Sequence, residues 1–380
     1  MLPIIQRFVG DQISKRIGQN KVLLLFGTRR VGKTHLLKSI EKTYKYSFLH
    51  LNAEDTDTAL LLENRSVANY KRLLGDIKLL VIDEAQVIPD IGKILKLMID
   101  EFEGLTIIAT GSSAFDLSNQ TGEPLTGRSY TYILYPIAQA ELSVNQNSLQ
   151  IKQNLEDRLI FGSYPEIFSF ETSEEKVEYL KNLVNTYLLK DILMFEQVQN
   201  SSKVMDLLKL IAHQVGSEVS LHELGKQLGM SKNTVERYLD LLTKVQILFK
   251  LGGYSSNLRK EITKSSKWYF FDNGIRNAIL NDFRLPAIRQ DIGLLWENYC
   301  MYERIKLNKY SNIDAEYFFW RTYDQQEIDM IEKKGPTIQA FEFKYGKRSE
   351  KIPGFFKKSY PNADFSVINK ENYLNFILKS

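Results

Sequence analysis

Gly27-Thr28-Arg29-Arg30-Val31-Gly32-Lys33-Thr34 fits the pattern G-x-x-x-x-G-K-[ST] without departure, and these residue types at this spacing hold a polyphosphate. Two glycines let the backbone curl so that consecutive N–H groups face one anion. Lys33 adds a compact ammonium for β- and γ-phosphates, and the Thr34 hydroxyl can ligate Mg²⁺. A second chemical stretch is Leu79-Leu80-Val81-Ile82-Asp83-Glu84, an apolar run ending in two acids. Asp83 suits the magnesium shell, and Glu84 suits polarising an attacking water. Thr110-Gly111-Ser112-Ser113 offers small hydroxyls to a γ-phosphate or that water; Ser112 is the first choice, with Thr110 and Ser113 also open. Arg128, on the turn Leu125-Thr126-Gly127-Arg128, can neutralise transition-state charge in its own site or in a neighbouring copy's. Its plainer role is a surface turn arginine.

These groups need a particular scaffold. Val22 to Phe26 is a continuous apolar run, as a strand buried on both faces should be. After the loop, Leu36, Leu37 and Ile40 make one helical stripe, so strand, glycine loop and helix come in the required order. The new helix brings the positive end of its dipole to the phosphates. Residues 46–51, 79–82, 105–109 and 130–135 supply further strands of a parallel sheet, and 52–76 is expected to hold a loop and one helix. Ligands bind such sheets at the carboxyl edge, where Asp83 and Glu84 would stand.

The chain has 380 residues, too many for one ordinary domain. Hydrophobic residues at 43% and charged residues at 25% point to a soluble globular protein. A single cysteine, Cys300, excludes an internal disulfide framework and suits a reducing, cytoplasmic setting. No apolar run approaches the roughly 20 residues of a membrane span, and no cleavable signal is expected. The net charge of +4 permits contact with nucleic acid without demanding it.

Residues 145–153 are polar and expected to form a loop, Leu155 to Phe161 a helix stopped by Gly162 and Pro165, and residues 174–195 one long amphipathic helix. The last is expected to belong to a helical lid over the nucleotide. From Ser220 the chain has helix-turn-helix grammar: a short helix ends at Gly229, and Ser231 caps a second with Val235, Leu239 and Leu242 on its core face. Lys232, Asn233, Thr234, Arg237 and Tyr238 are placed on the outer face as candidate DNA contacts, and residues 247–253 as a wing. Glu236 and Asp240 on the same helix keep a protein contact open.

In the last third, Glu297 shares a helical stripe with Leu294 and Met301, where a carboxylate needs a partner or a metal. Residues 326–331 and 337–345 are two strands; a hairpin symmetric about Lys334-Gly335 sets Asp329 opposite Ala340, on the face of Glu342 and Lys344. Phe341, Phe343 and Tyr345 then pack beneath. The four histidines show no metal-ligand spacing.

The wording GTRRVGKT, LLVIDEAQ, ATGSS and LTGR resembles a prokaryotic AAA+ ATPase family whose members carry a C-terminal domain of unknown function related to restriction-type nucleases. That resemblance runs over nearly the whole chain. It implies an α/β fold: a P-loop NTPase parallel sheet in residues 1–136, a helical lid in 137–212, a winged helix-turn-helix in 213–255 and a nuclease-like α/β domain in 256–380. It also implies ATP and Mg²⁺ as ligands, with hydrolysis following from Glu84. Glu297, Asp329 and Glu342-x-Lys344 resemble a PD-(D/E)XK site, in which acids bind Mg²⁺ and the lysine helps activate water. Ile328 stands where that pattern has proline. Metal-dependent cleavage, a nuclease-like fold used only for binding, and plain ion pairing are the three uses open to these residues. The expected partners are ATP, DNA, a protein target and further copies of the chain. A nucleotide-gated switch that docks a protein is the alternative to a DNA-directed ATPase.

Overall fold

The computed structural model describes residues 5–111, 125–188, 201–255, 266–346 and 351–378. The chain forms two units, one of residues 6–135 with 244–246 and the other of the remainder.

The first unit runs α1 (Phe8–Ser14), β1 (Val22–Phe26), α2 (Lys33–Thr43), β2 (Phe48–Asn52), α3 (Thr56–Glu63), α4 (Val67–Leu74), β3 (Leu79–Asp83), α5 (Ile91–Glu101), β4 (Thr106–Gly111) and β5 (Ser129–Ile133). Its five strands make one parallel sheet in the order β2-β3-β4-β1-β5. Both faces are covered, which is why β1, β3 and β4 are buried at every position. Val22, Leu24 and Phe26 share a core with Ile91, Leu95 and Met98 of α5. Against the expected single helix in 52–76, two short helices form, because each has its own cap. The Asp55 carboxylate accepts from Thr58 N, and the Ser66 hydroxyl accepts from Asn69 N.

The second unit opens with α6 (Gln139–Leu142), α7 (Ser148–Gln153), α8 (Leu155–Phe161) and α9 (Ser173–Asn182). Residues 148–153, expected as loop, are helical because Asn147 and Gln150 form a reciprocal capping box. The expected long helix of 174–195 is helical as far as it is described, α9 passing directly into a π-helical stretch, Leu183–Leu188; residues 189–195 lie outside the described residues. Then come α10 (Ser201–His213), β6 (Glu218–Val219), α11 (Leu221–Leu228), α12 (Lys232–Lys244), β7 (Leu248–Gly253), β8 (Ser266–Phe270) and α13 (Asn273–Leu280). The unit closes with α14 (Ile292–Tyr310), β9 (Glu316–Arg321), β10 (Glu327–Lys334), β11 (Thr337–Phe343), α15 (Gly354–Ser359), β12 (Asp364–Ile368) and α16 (Tyr373–Ile377).

Seven strands form one sheet in the order β12-β11-β10-β9-β7-β8-β6. β7 is therefore an interior strand, antiparallel to β8 and parallel to β9, rather than a free wing. Its apolar side chains, Leu248, Phe249 and Leu251, are buried, which a projecting ribbon would not allow. The sheet runs unbroken across the expected boundary between residues 255 and 256. The β10–β11 hairpin turns on Gly335-Pro336, pairing Lys334 with Thr337 and Ile331 with Ala340. The register thus differs by two residues from the expected Asp329–Ala340 pairing, and an even shift leaves Asp329 on the same side of the sheet.

Candidate functional site

Loop 27–32 leaves β1 at the carboxyl edge of the five-stranded sheet. Gly27 has no room for a side chain: a Cβ there would lie 2.5 Å from the Leu134 carbonyl oxygen. Gly32 caps α2 at φ +100°, in the left-handed region that glycine adopts freely. The loop is also held from outside, in a way no sequence pattern announced. Arg7, buried ahead of α1, donates to the Val31 carbonyl at 3.1 Å and to the Tyr135 carbonyl at 2.5 Å.

Lys33 is 5% exposed, and its Nζ donates to the Gly27 carbonyl at 2.9 Å while lying 3.8 Å from Glu84 Oε1. Thr34 Oγ1 donates to Asp83 Oδ2 at 2.8 Å. Thr110, at the tip of β4, donates its hydroxyl to Asp83 Oδ1 and accepts the Glu84 backbone N–H at 3.0 Å. Of the hydroxyls weighed in the sequence, Thr110 thus sits against both acids; Ser112 and Ser113 lie outside the described residues. Glu84 adopts φ +54°, a left-handed conformation unusual for a residue with a side chain, and Gln86 Nε2 donates to its Oε2 at 2.6 Å. Thr34 and Asp83 present oxygen donors only, which fits Mg²⁺, a hard cation that takes one or two protein oxygens and completes its shell from phosphate and water. Bound there, Mg²⁺ would neutralise charge on the β- and γ-phosphates.

Arg128 is placed elsewhere. It precedes β5, which runs parallel to β1, and its carbonyl accepts from Val22 N. That is the amino edge of the sheet, about 13 Å of strand away from the loop. There its Nε donates to Asp100 at 2.7 Å. In this chain it stands as a half-exposed turn arginine paired with Asp100, away from its own phosphate loop. The signal was present in the sequence, since a residue that enters a parallel strand stands opposite the ligand edge.

In the second unit, Val235, Leu239 and Leu242 are fully buried on α12, as expected. Ser231 caps the helix by accepting from Thr234 N at 3.1 Å. Lys232, Asn233 and Arg237 are exposed and Thr234 is partly so, whereas Tyr238 is buried rather than outward. Helical spacing explains it: Tyr238 follows Val235 by three positions and joins its stripe.

The C-terminal acids are drawn into ion pairs and hydrogen bonds. Tyr269 donates its hydroxyl to Glu297 Oε1 at 2.7 Å, Phe343 N–H donates to Asp329 Oδ2 at 2.8 Å, and Lys344 Nζ donates to Glu342 Oε1 at 2.7 Å. Burial, then the neighbouring Asp329, pushes the Glu297 carboxyl above its ordinary range; burial raises Asp329 too, despite the Phe343 N–H. Sequence reasoning missed the cation among them. Lys267 of β8 is 3% exposed and pairs with Glu327. Burial alone would lower its pKa, but Glu297, Glu327 and Asp329 together hold it above the usual lysine value. Among the described residues no three acidic, cysteine or histidine side chains converge as a metal site. Of the acids expected to share Mg²⁺, Glu297 and Asp329 lie in the field of the Lys267 ammonium, and Glu342 pairs with Lys344.

Residues 19–143 match the AAA domain family, residues 152–285 a domain of unknown function (DUF8612) and residues 292–374 another (DUF4143). An uncharacterized protein of Mycobacterium tuberculosis is 26% identical over 345 residues, spanning 90% of this chain and 74% of that protein. One from Methanocaldococcus jannaschii is 23% identical over 344 residues, spanning 86% and 75%. Among solved structures, a Walker-type ATPase of Pyrococcus abyssi shares the fold with a TM-score of 0.54 at 16% identity, over 73% of this chain and 96% of that one. The AAA match thus covers most of the first unit, including the loop 27–34 and the acids Asp83 and Glu84. No helix among the described residues is long and apolar enough to cross a membrane.

Proposed function

We propose that the chain binds and hydrolyses ATP in Mg²⁺, and that its nucleotide state governs a DNA-directed region in residues 137–380. The observation that carries the reading is the linked set Thr34–Asp83–Thr110–Glu84 beside Lys33 at the carboxyl edge of the sheet. It joins a phosphate cradle, a magnesium pair and a general base through contacts that sequence spacing alone does not guarantee. In this reading the helices of 137–212 carry the nucleotide signal. The α11–α12 pair reads DNA through the exposed residues of α12. Residues 256–380 form a nuclease-like domain that binds without cleaving. The order α14, β9, β10, β11, α15, β12, with β12 parallel to β11, supports the nuclease-like reading. Lys267 among the acids argues against cleavage.

Calorimetry on the full chain tests the first half. Wild type gives saturable heat with ATP or ADP in magnesium buffer, and Lys33→Ala weakens ATP by about 10- to 100-fold, as the loss of a charge-assisted contact implies. Silence from the wild type would remove the reading. For the second half, fluorescence anisotropy with duplex DNA at rising salt should show binding that Lys232→Glu/Arg237→Glu abolishes, because both charges then repel phosphate. A protein-docking switch is the second reading, favoured by exposed Glu236 and Asp240 interleaved with those cations on α12. Salt-insensitive behaviour, or no DNA binding at all, would select it.

A further inference from the structure

Gln86 lies two residues beyond Glu84, in the 3-10 turn Ala85–Val87 that leaves β3. Its Nε2 donates to Glu84 Oε2 at 2.6 Å. Chemistry requires that orientation, since an amide oxygen so close to a carboxylate would set two acceptors against each other. The amide oxygen Oε1 therefore turns away from Glu84. It is buried and meets no hydrogen-bond donor among the described residues. A buried acceptor without a donor is costly and normally marks an absent partner. The backbone beneath is fixed, with Glu84 N–H on Thr110 Oγ1 and the second Glu84 oxygen 3.8 Å from Lys33 Nζ. One carboxylate thus joins the two side chains: Glu84 Oε2 holds the Gln86 amide, and Glu84 Oε1 faces the Lys33 ammonium.

We propose that Gln86 is a positioning residue for ATP hydrolysis: it anchors the Glu84 carboxylate through Nε2 and accepts one O–H of the attacking water through Oε1. The inference rests on the hydrolytic reading of this site. A water molecule has two O–H bonds, and turning a lone pair toward phosphorus requires an acceptor for each. Glu84 takes one and Gln86 the other. In the step itself the water oxygen bonds the γ-phosphorus and the bond from that phosphorus to the β-phosphate oxygen breaks. That oxygen keeps the electron pair as ADP leaves, and the water proton passes to Glu84. Gln86 neither gains nor loses a proton.

The test uses the full chain, with ATP affinity from calorimetry and steady-state turnover measured across pH. Gln86→Ala should lower kcat by about 10- to 100-fold, the loss of one hydrogen bond to a charged group, with ATP affinity within about twofold of wild type. Gln86→Glu keeps an oxygen but loses the N–H and sets a second negative charge beside Glu84. The acid limb of its kcat–pH profile should move upward by about one pH unit or more, a shift that a glutamine remote from the hydrolytic carboxylate would not produce. Unchanged kcat in Gln86→Ala, equal losses in affinity and kcat, or an unmoved acid limb in Gln86→Glu would each overturn the inference while the hydrolytic reading stands. A wild type that binds ATP and never turns it over would overturn both.

Discussion

Glu84→Gln should leave ATP bound and slow its hydrolysis by about 10²- to 10⁴-fold, the range that a positioned general base contributes. The variant is nearly isosteric, and the features that fix the backbone at residue 84 do not involve the changed atoms: the N–H bonded to Thr110 and the left-handed conformation both remain. What goes is the carboxylate that, in the proposed reading, takes the water proton. Affinity is expected to hold or rise slightly, because a negative charge 3.8 Å from Lys33 no longer competes with phosphate for that ammonium. Single-turnover hydrolysis read against calorimetric affinity separates the two effects. Turnover at the wild-type rate would show that Glu84 is not the base, and a large loss of affinity would show that it belongs to the binding pocket instead.

Lys306→Met should destabilise the second unit by about 3–5 kcal/mol, the cost of leaving one partner of a buried ion pair alone. Lys306 and Glu303 are 0% and 1% exposed, with Nζ 3.1 Å from Oε1. The other Glu303 oxygen accepts Gln139 N–H at 2.6 Å, so the carboxylate cannot swing out to water without breaking the start of α6. Burial already raises the Glu303 pKa, and Lys306 is the main influence holding it down. Without the lysine the carboxyl should stay protonated to higher pH in the folded state. A carboxyl whose folded pKa lies above its unfolded value stabilises less as pH rises, so the loss should be smaller at pH 5 than at pH 8. Denaturant unfolding at both values checks this. Glu303→Gln combined with Lys306→Met should recover much of the loss, because the pair then carries no stranded charge. Additive losses in the double variant would show that the two side chains act separately.

The parts of the site that the sequence revealed are those whose chemistry demands fixed residue types at fixed spacing. A backbone phosphate cradle must have glycine at its tight points, and Gly27 and Gly32 obey that rule at any level of description. The strands beneath were visible because a sheet covered on both faces leaves runs such as Leu79–Ile82. Where partners come from distant chain, that legibility ends. Lys267 looks like an ordinary lysine before an aromatic strand; only the sheet carries it to Glu327 and Asp329, far along the chain. That β7 lies inside a larger sheet is not legible locally, because its neighbour β9 follows only after α13 and α14. The β10–β11 register depended on whether the turn held Lys334-Gly335 or Gly335-Pro336, a choice between short turns that composition does not decide. Arg7 and Gln86 carry no pattern of their own, and their importance comes from the carbonyls and the carboxylate they happen to reach.

The unbroken sheet from β6 to β12 has a mechanical meaning. Strands laced by backbone hydrogen bonds transmit force with little give, so the strands flanking the helix-turn-helix and those bearing the lysine-filled acid cluster behave as a single plate. A shift imposed at the β6 end is therefore carried to the β12 end through paired backbone rather than absorbed between them.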